Sequence, residues 1–80
     1  MTSTILVDRE ALARFRQQAG LSQADLAAKV REAGGSAQPS FVSRLERGGR
    51  QYLSVTNYAA FVRALGVRHD DLRADLAVAI

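Results

Sequence analysis

Arginine dominates the residues whose side chains could bind or react. The chain has 80 residues and a formal net charge of +3, and its basic residues are all arginine except Lys29. Arg44, Arg47 and Arg50 follow Pro39 closely. A guanidinium binds phosphate or guanine through forked hydrogen bonds, so this cluster indicates contact with nucleic acid. A high-GC coding sequence also favours arginine, and composition alone leaves that alternative open.

Catalytic and metal-binding chemistry has little support in the sequence. There is no cysteine, and His69 is the one histidine, which cannot build a zinc site unaided. Neither a phosphate loop nor a metal-ligand spacing occurs. Asp70 and Asp71 are more typical of the first turn of a helix than of a catalytic pair. We therefore expect no enzyme activity, no catalytic residue, no metal, no cofactor and no small-molecule substrate.

Composition predicts one compact domain spanning residues 1–80. Hydrophobic residues make up 48% of the chain and charged residues 24%, a balance typical of a globular domain. The absence of cysteine excludes disulfides, so stability must come from packing, and a partner subunit could extend the core. No apolar run has the length of a membrane span and the N-terminus does not resemble a secretion signal, so we expect a cytoplasmic protein without a membrane partner.

Apolar spacing and capping residues predict an all-α, five-helix bundle. Asp8, Ser22 and Ser54 are suited to begin the first, second and fourth helices. Pro39 fits the first turn of a third helix, which places Gln38 at its N-cap. Four glycine-containing breaks separate these segments, at Gly20, at residues 34–36, at residues 48–49 and at Gly66.

The two ends of the chain have their own predictions. Residues 4–7, with the sequence TILV, are expected to form a short extended piece, and no other strand is predicted. A fifth, short helix is expected to open at Asp70 and Asp71 and to continue through Leu72 and Leu76. The tail that follows, residues 77–80, is apolar.

Three sequence blocks follow one another through the second, third and fourth predicted helices. They read GLSQADLAAKV, PSFVSRLERG and YAAFVRALGV. The residues concerned are Leu21, Ser22, Gln23, Leu26 and Ala27; Val42, Ser43, Arg44, Leu45, Glu46 and Gly48; and Ala64, Leu65, Gly66 and Val67. In this order the chain resembles the Cro/repressor-type helix-turn-helix proteins, also called the XRE family, over residues 9 to 76. The resemblance implies a lambda-repressor-like fold that binds double-stranded DNA.

The same resemblance implies that the third helix reads the major groove of an operator. Val42 and Leu45 face the core, which leaves the residues on the other faces of this helix available to contact DNA. Arg44 is the candidate base reader, because its guanidinium can bridge O6 and N7 of one guanine; contact with phosphate alone is the alternative. The remaining candidates on or before this helix are Gln38, Pro39, Ser40, Ser43 and Arg47. Gln38 and Ser40 are secondary readers, with helix capping as the alternative.

Other roles follow only from the resemblance. Gln23 matches the glutamine that clamps a phosphate at the start of the second helix, and a solvated first-turn residue is the alternative. Arg47 and Arg50 are expected to contact phosphate, unless they are ordinary surface residues. Arg16 and Glu46 match positions that form a structural ion pair between the first and third helices.

Two features lie outside this pattern. Phe41 lies beside the core-facing residues of the third helix, so it is expected to pack against the core. The alternative is contact with a thymine methyl or with a second subunit. Residues Arg31 to Gly35 are additional to the family's tight turn. They predict a second helix that is longer by a turn, ending near Glu32 or Ala33, and they put the phosphate contacts of that turn in doubt.

The sequence favours a transcriptional regulator, and we expect a repressor that occupies its operator as a homodimer. TILV and the tail around Leu76, Val78 and Ile80 are the candidate dimer surfaces. The alternative for these surfaces is that Ile5, Val7 and Val78 complete the core of one chain. The alternative is an antitoxin or co-activator type of protein-interaction module with the same fold. The resemblance alone does not distinguish repression from activation, or a phage setting from a plasmid, restriction-modification or toxin-antitoxin one.

Overall fold

The computed structural model describes residues 4–48 and 51–74. Within these ranges the chain forms four helices and two short strands. In order they are β1 (Thr4–Leu6), α1 (Arg9–Gln18), α2 (Gln23–Glu32), α3 (Pro39–Arg47), β2 (Tyr52–Ser54) and α4 (Val55–Leu65). The four predicted helix positions are confirmed, as is the extended N-terminal piece.

The prediction of five helices and a single extended piece was wrong. β1 pairs with β2 in an antiparallel sheet, in which Ile5 lies opposite Leu53. β2 has three residues and leads directly into α4, so it is too short to show an alternating pattern in the sequence. Only its pairing with a distant segment makes it a strand.

The segment that was predicted to open a fifth helix is a turn followed by extended pairing. The Asp8 N–H donates to the Leu72 carbonyl at 2.8 Å, and the Ala74 N–H donates to the Leu6 carbonyl at 2.9 Å. These bonds pair the backbone of residues 72–74 with residues 6–8, at and just beyond the end of β1, so the bonded groups are not available for a helix. Residues 75–80, which include Leu76, lie outside the described residues.

The predicted helix starts are confirmed by the capping contacts of three side chains. Asp8 accepts a hydrogen bond from the Ala11 N–H, and Ser54 accepts one from the Asn57 N–H. Ser22 and Asp25 form a reciprocal capping box, with both bonds at 3.0 Å. Each contact satisfies a backbone donor that the first helical turn leaves without a partner.

The helices and the sheet enclose one hydrophobic core. Its fully enclosed members include Tyr58 and Phe61 of α4, which fill the centre of the domain. The core consists of Ile5, Val7, Leu12, Leu26, Ala27, Val30, Ala37, Val42, Leu45, Leu53, Tyr58, Ala60, Phe61 and Leu72. Ile5 and Val7 therefore complete the core of a single chain, which was one of the two options for the TILV segment.

No helix in residues 4–48 and 51–74 is long and apolar enough to cross a membrane. Those residues likewise contain no group of three or more histidine, cysteine, aspartate or glutamate side chains that could hold a metal ion.

Candidate nucleic-acid interface

The third helix, α3, has a buried face and a solvent face. Val42 and Leu45 are buried, at 0% and 1% exposure. Ser40, Arg44 and Arg47 are exposed on the opposite side. This division follows from the helical period of 3.6 residues, which separates the two sets. Two arginines and a hydroxyl thus lie along one open face of a helix whose other face is fixed in the core.

The start of α3 is open to solvent. Gln38 occupies the N-cap position, but its side chain makes no capping hydrogen bond, and Pro39 follows at the first helical position. Both residues are exposed, whereas Ser43, further along the helix, is half-buried. Gln38 therefore occupies the predicted N-cap position without capping through its side chain, and its amide lies at the end of α3 where a helix can enter a groove.

The end of α3 is held by an arginine from the first helix. Nη1 of Arg9 donates to the Gly48 carbonyl at 2.8 Å and to the Arg47 carbonyl at 3.3 Å. These carbonyls belong to the last turn, where helical acceptors lack partners and the helix dipole favours a cation. The sequence did not predict this contact, because an arginine in the first turn of α1 is indistinguishable from an ordinary surface residue.

An ion pair joins α1 to α3. Arg16 donates to Glu46 through Nε at 2.6 Å and through Nη2 at 3.0 Å, and its Nη1 donates to the Leu21 carbonyl at 2.8 Å. The Arg16 and Glu46 side chains are 13% and 8% exposed. The hydrogen bond with Glu46 raises the pKa of Arg16, against the opposing effect of burial. The arrangement fixes the last turn of α3 relative to α1.

Gln23 belongs to the same network. Its Nε2 donates to Oε1 of Glu46 at 3.1 Å, from the first helical position of α2. A primary amide carries two N–H donors, and Glu46 takes one of them. Gln23 is thus bonded to α3, and its amide nitrogen carries a second donor.

The connection from α2 to α3, residues 33–38, packs against α4. α2 ends at Glu32, as the additional residues predicted, and Gly34 takes a positive φ of 96°. At Gly35 a Cβ would lie 2.6 Å from both the Ala60 Cβ and the Asn57 Oδ1. Only glycine permits the turn to approach α4 this closely.

Three polar side chains hold this turn by its backbone. Asn57 accepts from the Ser36 N–H at 2.8 Å and donates to the Ser36 carbonyl at 3.0 Å. Arg31 donates to the Ala37 carbonyl at 2.6 Å, and Arg63 donates to the Ala33 carbonyl. These contacts, too, were missed in the sequence, because the residues they join are brought together only by the fold.

Phe41 lies at the edge between the two faces of α3. It is half-buried, and its ring meets that of Phe61 edge-on, with 6.4 Å between the ring centroids. The packing role expected of Phe41 is confirmed. The Arg44 Cζ lies 5.8 Å from the centroid of the same ring. An open groove of about 340 Å³ lies beside Phe41, lined also by Ser36, Ala37, Gln38 and Asn57.

The structure therefore brings most of the predicted site residues to one helix and its supports. Gln38, Pro39, Ser40, Ser43, Arg44 and Arg47 follow one another along α3, and Gln23, Arg16 and Glu46 form the adjoining network. Arg50 lies outside the described residues.

A family model described as a helix-turn-helix domain matches residues 9–76. Since this range covers most of the 80 residues, the chain belongs to the helix-turn-helix domain family. It is a DNA-binding domain of that class, and such domains are typically not enzymes. No curated protein and no solved structure matches the chain.

Proposed function

We propose that this protein is a sequence-specific transcriptional regulator of the Cro/repressor (XRE) kind, which represses by occupying its operator. The observation that carries the proposal is the open face of α3, where Ser40, Arg44 and Arg47 are exposed opposite a fully buried face. A helix of this kind fits the major groove of B-DNA, and residues near its N-terminus reach the base edges.

Arg44 is the principal base reader in this proposal. Its guanidinium presents paired donors that match O6 and N7 of one guanine. Gln38 and Ser40 precede it on the exposed part of the helix and supply amide and hydroxyl groups for a second base pair. Pro39 and Ser43 complete the surface that approaches the groove.

Phosphate contacts would flank this reading surface. Gln23 lies at the N-terminus of α2, where free backbone N–H groups favour an anion, and its amide keeps one donor beyond the bond to Glu46. Arg47 lies exposed near the end of α3. Arg50, which follows α3 in the sequence, is proposed from the sequence resemblance alone.

We propose a homodimer as the working unit. One short helix contacts too few base pairs to select a site among the competing sites of a genome, and two helices related by a two-fold axis double the contacts. The free edge of β1 is reduced, because β1 pairs with β2 on one side, and on the other side Leu6 at its end accepts a hydrogen bond from the Ala74 N–H. The tail beyond Ala74 is therefore the favoured dimer surface.

A protein-interaction module is the second candidate. It is favoured by Tyr52 and Val55, which are 55% and 46% exposed and are separated by two residues in the chain. Exposed apolar side chains can mark a partner surface. The exposed arginines of α3 favour DNA binding, because a surface that only contacts another protein has little need of them. We therefore place the interaction module second.

Salt dependence of binding distinguishes the two functions. The protein is titrated into a labelled duplex recovered by selection from a random pool, at several salt concentrations. For a DNA-binding protein, log K falls linearly with log salt, with a slope near −0.9 for each phosphate neutralised. Failure to recover any duplex, or affinity that does not change with salt, would favour the interaction module.

The repressor and dimer proposals have separate tests. A reporter promoter that carries the selected site should lose expression when the protein is present, whereas a gain would indicate activation. Sedimentation with and without the duplex should show two chains bound to each duplex. The selected site should be roughly palindromic, with half-site centres about 34–36 Å apart or a multiple of that. One chain on an asymmetric site, well above the dissociation constant, would contradict the dimer.

A further inference from the structure

The ring of Phe41 connects the core to the exposed arginine of α3. On one side it meets the buried Phe61 of α4 at an interplanar angle of 62°. On another it lies under Arg44, whose Cζ is 5.8 Å from the ring centroid. Phe41 and Arg44 are three residues apart on one helix, the spacing at which side chains meet on a helical surface.

We propose that Phe41 is a positioning residue for base reading, which holds the Arg44 guanidinium over its ring before DNA is bound. The inference rests on the proposed function, in which Arg44 reads a guanine. It assigns to Phe41 a part in specificity beyond packing, and it identifies the contact through which α4 supports the reading side chain.

The geometry of a guanidinium explains why a ring is suited to this task. A cation–π contact places the cation over the face of the ring and uses none of the N–H donors of the guanidinium. Arg44 therefore keeps the edge donors that a guanine requires. A hydrogen bond to a carboxylate would instead occupy those donors, as Glu46 does for Arg16.

Anchoring of the ring gives the contact its value. A free arginine side chain samples many rotamers, and fixing it on binding costs conformational entropy. Phe61 is fully buried and contacts the ring of Phe41, so the surface beneath Arg44 is attached to the core. Part of the ordering of Arg44 is then already present in the free protein.

The test compares base preference among variants of the full chain. Affinity is measured for the selected duplex and for duplexes changed at the one position where Arg44→Ala loses preference. A cation–π contact at an exposed site corresponds to roughly a 2- to 5-fold effect on affinity. We expect Phe41→Leu to lose preference by that factor at this position alone. Phe41→Tyr, which keeps a ring, should retain it.

A matched control exists on α1, where the Arg14 Cζ lies 5.3 Å from the centroid of the Phe15 ring. Phe15→Leu removes the same kind of contact away from the reading helix, so it should leave base preference unchanged. Phe41→Met serves as a second variant with a flexible apolar side chain, in case Phe41→Leu unfolds at the temperature of the assay.

Four outcomes would overturn the inference. Full preference in both Phe41→Leu and Phe41→Met, with the Arg44→Ala effect present, would overturn it and leave the proposed function intact. A further loss in the Arg44→Ala, Phe41→Leu double variant beyond Arg44→Ala alone would show that Phe41 acts independently. If the loss of base preference in Phe41→Leu disappears when uracil replaces thymine in the duplex, Phe41 contacts the thymine methyl instead of positioning Arg44. If Arg44→Ala keeps the base preference of the wild type, both the reading role of Arg44 and the inference about Phe41 are overturned.

Discussion

Arg16 and Glu46 form a forked ion pair that ties the first helix to the last turn of the third. The two hydrogen bonds, at 2.6 and 3.0 Å, use Nε and Nη2 of Arg16 and both carboxylate oxygens of Glu46. Gln23 donates to Oε1 of the same carboxylate. One side chain of α3 thereby receives contacts from both α1 and α2, which sets the orientation of the helix that is proposed to read DNA.

The first prediction concerns the stability that this pair provides. Glu46→Ala leaves the Arg16 guanidinium largely buried without its carboxylate, and the loss of one partner from a buried pair costs about 3–5 kcal/mol. We expect the free energy of unfolding to fall by less than that range, because both side chains are only partly buried. Denaturant unfolding measures the change, with the exposed Glu32→Ala as the control, expected to change stability by less than about 0.5 kcal/mol.

A double-mutant cycle decides whether the two residues interact. Arg16→Ala, Glu46→Ala and the double variant should give non-additive changes in the free energy of unfolding. Strict additivity would mean that the pair contributes no coupling energy.

The second prediction concerns the turn before α3. Asn57→Ala removes two hydrogen bonds to the backbone of Ser36, each worth about 1 kcal/mol, so we expect a loss of about 1–2 kcal/mol in the free energy of unfolding. Ser36→Ala is the matched control, because the bonds use the Ser36 backbone and not its hydroxyl. Equal effects of the two substitutions would contradict the role of Asn57.

The third prediction concerns acid. Hydrogen bonds from Ser22 lower the pKa of Asp25, first through the backbone N–H and then through the side chain. A carboxyl with a lowered folded-state pKa stabilises the fold above its unfolded-state pKa, and this contribution is lost as pH falls through the folded-state value. The stability difference between wild type and Asp25→Asn should therefore shrink below about pH 4.

Urea unfolding of both proteins between pH 7 and pH 3 measures that difference. Ser22→Ala should also show a weaker pH dependence, because it removes the side-chain hydrogen bond that helps to lower the pKa of Asp25. A difference that stays constant down to pH 3 would contradict the lowered pKa.

The fourth prediction separates phosphate contact from base reading. Gln23→Ala should weaken binding to every duplex by a similar factor, since a phosphate contact positions the protein without reading sequence. Gln17→Ala on α1, where Gln17 is exposed, is the matched control and should leave affinity unchanged. A loss confined to one base position would contradict the phosphate role of Gln23.

Local signals in the sequence were sufficient to predict the four helices α1 to α4. Asp8, Ser22 and Ser54 begin helices through contacts within a few residues, and Gly66 ends α4 with a positive φ of 65°. The buried face of α3 follows from the spacing of Val42 and Leu45, and this spacing also identified the exposed residues of the candidate site.

Contacts between distant segments could not be predicted in the same way. β2 exists because three residues pair with β1. Residues 72–74 pair with residues 6–8, at and just beyond the end of β1, and this pairing replaces the start of the predicted fifth helix. Arg9, Arg31 and Arg63 each hold a backbone carbonyl far along the chain or across a turn. In the sequence these arginines resemble those proposed to bind DNA, because one residue type serves both purposes.

The fifth prediction tests the central claim, that α3 reads DNA sequence through Arg44. Wild type and Arg44→Ala are passed in parallel through selection from a pool of random duplexes, and the selected sequences are compared position by position. The wild type should select a defined site. Arg44→Ala should bind that site about 1–3 kcal/mol more weakly and should lose preference at one base pair in each half-site, with the other positions retained. Identical preferences and affinities for the two proteins would contradict the claim.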